Sequence, residues 1–87
     1  MNGKNDIWKD EQARQLADVL ASISDPNEMR AFLRDVMTQK EIVEVGARLQ
    51  AAKMLSKGEK YADIIAATKL SSRTVARISD WMQNGGW

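Results

Sequence analysis

The sequence predicts an all-α protein of five to six helices, in which a helical dimerisation core is followed by a C-terminal helix-turn-helix. Two observations carry that expectation. Apolar residues recur at i, i+3, i+4 and i+7 along most of the chain, and only one proline and five glycines interrupt its 87 residues. Near the end, "TKLSSRTVAR" (Thr68 to Arg77) breaks the helical pattern with two hydroxyl residues and resumes it with two arginines four residues apart.

The elements follow in order. From Gln12, the residues Leu16, Val19, Leu20 and Ile23 line one helical face that ends before "SDPN". Ser24 or Asp25 can cap a second helix with Pro26 at its first position, where the missing N–H costs nothing. Met29, Phe32, Leu33, Val36 and Met37 share its apolar face. "TQKE" is a capping box in which Thr38 and Glu41 satisfy each other's orphan N–H groups. The third helix runs to about Lys57, with Ile42, Val45, Leu49, Ala52 and Leu55 as its buried stripe and Gly58 at a left-handed C-terminal position. A short fourth helix spans Tyr61 to about Thr68 and buries Ile64 and Ile65. The fifth begins near Ser72, carries Val75, Ile78 and Met82, and ends at "NGGW". Residues 1–9 are expected to be a flexible N-terminal segment, 10–84 the helical domain and 85–87 a tail, with the helix-turn-helix at about 61–82.

Composition narrows the function classes. The chain has no cysteine and no histidine, which removes thiolate chemistry, most nucleophile–base pairs and the usual transition-metal ligands. An enzyme, a metal site and a cofactor are therefore not expected. Glu41 and Glu44 are read as a solvated face rather than a catalytic pair. No apolar run has signal-peptide or membrane-spanning length, so a cytoplasmic protein without a membrane partner is expected. The net charge of +1 hides a division. Residues 1–37 carry five basic against seven acidic residues, whereas Arg48 to Arg77 carries seven against two. The two halves face different partners.

A helix-turn-helix needs apolar residues at fixed offsets to hold its second helix against its first, and Ile64, Thr68, Leu70, Val75 and Ile78 supply them. Ser71 or Ser72 caps the second helix, which leaves Ser72, Arg73, Thr74, Ala76 and Arg77 near the surface at the end that would enter a major groove. Arginine grips guanine or phosphate, Ser and Thr donate to phosphate, and apolar groups meet thymine methyls. Lys69 in the turn, Lys57 and Lys60 before the fourth helix, Ser71 and Tyr61 complete the candidate DNA-binding set. The expected partner is double-stranded DNA, bound by a homodimeric transcriptional regulator. The alternative is a helical protein-interaction module that uses the helix-turn-helix for packing alone. Trp81 and the methionines Met29, Met37, Met54 and Met82 are read as packing residues.

Thr38 opening the third helix, "GARL" at Gly46–Leu49, "LSKG" at Leu55–Gly58 and "SxxTVxR" at Ser71–Arg77 occur in an order that resembles the Trp repressor superfamily. The likeness is strongest to the YerC/YecD branch of Trp repressor-like proteins and runs from about Asp10 to the end. It implies an intertwined homodimer whose first three helices interlock, with two helix-turn-helix heads reaching successive major grooves. It also implies an effector position, since Thr38, Arg48 and Arg77 match the residues that hold tryptophan in the repressor. There the recognition-helix arginine is followed by glycine, and here by Ile78. Free L-tryptophan is accordingly expected to bind neither tightly nor with a gain in DNA affinity, and any other small-molecule effector is left unassigned.

Overall fold

The computed structural model describes residues 6–84, and among these every regular element is helical. A 3-10 turn at Ile7–Lys9 precedes α1 (Glu11–Ser22), α2 (Pro26–Val36), α3 (Gln39–Ser56), α4 (Tyr61–Thr68) and α5 (Ser72–Gln83). The 3-10 turn falls inside the segment expected to be flexible. The tail at 85–87 lies outside the described residues.

The chain divides into two compact units at Met37/Thr38. In the first, each helix starts on an aspartate. Asp10 accepts from the Ala13 N–H at 2.8 Å, and Asp25, rather than Ser24, accepts from the Glu28 N–H at 2.9 Å with Pro26 behind it. Neither α1 nor α2 contains a buried residue. Leu16, Val19 and Val36 are exposed, and Leu20, Phe32 and Leu33 are only partly covered.

The second unit holds the core. α3 packs against α4 and α5, and α4 packs against α5. The capping box at the start of α3 forms in both directions, Glu41 N–H to Thr38 Oγ1 at 3.1 Å and Thr38 N–H to Glu41 Oε1 at 2.8 Å. Its other end closes in a Schellman motif. Gly58, at φ +77°, donates to the Leu55 carbonyl at 3.0 Å, and Glu59 donates to that of Met54 at 3.1 Å. Ala51, Ala52, Met54, Ile64, Val75 and Ile78 form the buried cluster, with Leu55, Ile65, Leu70 and Met82 packed on it.

The stripe expected along α3 is buried in its last turns and partly covered at Ile42, but open between them. Ala52 is buried and Leu55 partly so, but Val45 and Leu49 are each 48% exposed and their neighbour Val43 is 64% exposed. The reason is length. α4 and α5 together cover the C-terminal turns of an 18-residue helix, which at about 1.5 Å per residue outreaches them.

Candidate nucleic-acid interface

The turn between α4 and α5 comprises Lys69, Leu70 and Ser71. Thr68 organises it. Its hydroxyl donates to the Ile64 carbonyl at 2.7 Å and accepts from the Leu70 N–H at 3.3 Å, so one side chain ends α4 and directs the chain that leaves it. Lys69 caps α4 in the left-handed conformation, φ 64° and ψ 12°, donating its N–H to the Ile65 carbonyl at 2.9 Å. Leu70 turns inward onto the core. Ser71, not Ser72, caps α5 by accepting from the Thr74 N–H at 3.1 Å.

On α5, burial selects one face. Val75, Ile78 and Ser79 are buried and Met82 is partly so, while Ser72, Arg73, Ala76, Arg77 and Asp80 are exposed and Thr74 is half-covered. Arg73 and Arg77 stand one turn apart on the outward side. Lys69, Lys57, Lys60 and Tyr61 are also exposed. Among the described residues, none of these basic side chains makes a hydrogen bond or an ion pair. The first amides of α5, those of Ser72 and Arg73, precede the one that Ser71 satisfies, so the helix presents its positive end beside these cations.

The effector positions are distributed differently. Thr38 is the N-cap of α3, where its hydroxyl accepts from Glu41, and Arg48 lies ten residues further on. At about 1.5 Å per residue that separation is a rise of about 15 Å along the helix axis. Ile78, 6% exposed, is part of the hydrophobic cluster. Trp81, read from sequence as a packing residue, is 45% exposed. Ser79, which sequence reasoning passed over, is buried, and its hydroxyl accepts from Gln83 Nε2 at 3.3 Å. A polar residue on the inner face of a helix gives no periodic signal by which it could have been found.

A family model described as Trp repressor protein matches residues 11–86. The chain belongs to the Trp repressor family. It is also similar to an uncharacterized protein, YerC, of Bacillus subtilis (strain 168), with 30% identity over 80 residues that cover 92% of this chain and 77% of that protein. No solved structure matches it. The Trp repressor family is one of helix-turn-helix DNA-binding regulators rather than enzymes. Among the described residues, no three His, Cys, Asp or Glu side chains group as a metal site, and no helix is long and apolar enough to cross a membrane.

Proposed function

We propose that this member of the Trp repressor family is a sequence-specific, double-stranded DNA-binding transcriptional regulator that works in the cytoplasm as a homodimer and inserts α5 into the major groove. The observation that carries this reading is the division of α5 into a buried face, Val75, Ile78 and Ser79, and an outward face on which Arg73 and Arg77 make no hydrogen bond or ion pair among the described residues. Arg73, Ala76 and Arg77 are assigned to base edges. Ser72, Thr74, Lys57, Lys60 and Tyr61 are assigned to the phosphate backbone, together with the amide end of α5.

The homodimer rests on different residues. Unit 1 has no buried side chain among its described residues, and Val43, Val45 and Leu49 leave the N-terminal half of α3 with exposed apolar side chains. A second copy supplies the missing cover, as chains of this size commonly need. Dimerisation also gives the DNA reading a geometry, two α5 helices addressing half-sites about 34–36 Å apart. Selection of bound duplexes from a random pool tests the whole reading. Enrichment of a site with two-fold related halves at that spacing is expected, and a pool that stays random after repeated rounds refutes it.

A further inference from the structure

Lys69 is the only residue other than glycine with a positive φ among the described residues. A left-handed lysine brings its Cβ against the following carbonyl, a conformation that glycine adopts without cost. Strain of this kind persists where something compensates for it. Among the described residues no contact of the Lys69 side chain does. The backbone bond from Lys69 to the Ile65 carbonyl would form equally with glycine, and the ammonium has no hydrogen-bonding or ionic partner among the described residues.

What the side chain does have is a position. Lys69 sits two residues before the N-cap of α5, in a turn whose other side chains are committed, Leu70 to the core and Ser71 to the cap. It is the one residue of the turn able to reach outward with charge. The open amides of Ser72 and Arg73 and the guanidinium of Arg73, unpaired among the described residues, follow on the same short stretch. The nearest acid on either side along the chain, Asp63 before it and Asp80 after it, lies six and eleven residues away.

We propose that Lys69 holds a backbone phosphate of duplex DNA at the edge of the groove that receives α5, and that the strained turn is retained for this contact, so that folding stability is exchanged for DNA affinity. The proposal rests on the DNA-binding reading above. It assigns Lys69 to affinity and not to sequence discrimination, since a phosphate carries no base identity.

Two readouts on Lys69→Gly test it, with Lys69→Arg as the control that keeps both charge and strain. At fixed protomer concentration, Lys69→Gly should raise the folded-to-unfolded ratio by about two- to fivefold, the relief of left-handed strain offset in part by the greater freedom of unfolded glycine. The same variant should bind specific and random duplexes more weakly by similar factors, and the slope of log affinity against log salt should fall by about 1.8, the loss of one phosphate contact from each of the dimer's two subunits. Lys69→Arg should retain the parental slope. A stabilised Lys69→Gly that binds with the parental slope overturns the proposal alone, as does a destabilised one. A parent chain that binds no duplex even at low salt overturns the DNA-binding reading and this proposal together.

Discussion

Ser71 and Thr74 hold each other twice. The Ser71 hydroxyl accepts from the Thr74 N–H at 3.1 Å and donates its own proton to Thr74 Oγ1 at 3.0 Å. The start of α5 is therefore fixed by a cap whose two hydroxyls are already engaged. Ser71→Ala should destabilise the fold by about 1 kcal/mol, within the usual range for a lost cap. Ser71→Asp should keep most of that stability, because aspartate caps equally well, yet lower DNA affinity at low salt by placing a negative charge beside the phosphates. Denaturant melts and DNA titrations on the two variants separate the cap from the interface. Equal DNA affinity for Ser71→Asp and the parent would place the start of α5 away from the backbone.

The exposed arginines should differ from the lysines in kind. If Arg73 or Arg77 reads a base edge, its change to alanine costs about 1–3 kcal/mol on the preferred site and relaxes preference at one position. Lys57→Ala should instead weaken all sequences alike and reduce the salt slope by about one for each of the two subunits. Titrations of each variant against the selected site and a scrambled one decide this. Uniform losses from all three would leave α5 without a role in reading sequence.

Leu49 and Val45, each about half exposed on α3, are expected at the seam between copies. Leu49→Glu places a charge there while touching no member of the buried cluster. Light scattering should show the parent as a dimer at micromolar concentration and the variant as a monomer with lower helicity, because a dimer's stability is tied to protomer concentration. A parent that is a stable folded monomer under those conditions contradicts the homodimer.

Acid should loosen the start of α3. Hydrogen bonds to Thr38, first from its backbone N–H and then involving its side chain, hold the Glu41 carboxyl below its ordinary value against a small opposing effect of burial. A depressed folded-state pKa means that the contribution is present above the unfolded value and is lost as pH falls through the lowered one. NMR titration of the Glu41 carboxyl should show the depressed midpoint, and Thr38→Val, which removes the hydroxyl but keeps the backbone N–H that contributes most, should bring it only part of the way back toward normal. An unshifted Glu41 in the parent would mean that the box does not persist in solution.

L-tryptophan should fail as an effector. Ile78 fills space within the core, and a carboxylate clamp of arginines without an apolar slot holds an amino acid weakly and without selectivity. Calorimetry, with DNA titrations in the presence and absence of tryptophan, should show neither micromolar binding nor a gain in affinity. A tenfold gain, a coupling of about 1.4 kcal/mol, would show Ile78 moving aside.

Much of this was legible in the sequence because it is local. Pro26 at a helix start, the reciprocal Thr38 and Glu41, Gly58 at a left-handed end and the Val75/Ile78 pair are each decided by a few neighbours. Choosing Ser71 over Ser72 as the cap was not, since both side chains can accept and the selection depends on where Leu70 anchors the turn. Nor was the exposure of Val45, Leu49 and Trp81. Apolar character says that a surface wants cover, but not whether its own chain or another supplies it.

The location of the core bears on how the chain is made. Among the described residues, the six buried apolar side chains lie between Ala51 and Ile78, so α1 and α2 leave the ribosome before the residues of that cluster. They emerge with Leu16 and Val19 facing water. The C-terminal head, assembled from neighbours close in sequence, can close quickly once its last turns are free. If the cover for the N-terminal half comes from a second copy, that half waits for another finished chain, and its protection from proteases during synthesis rises with the local density of ribosomes on the same message.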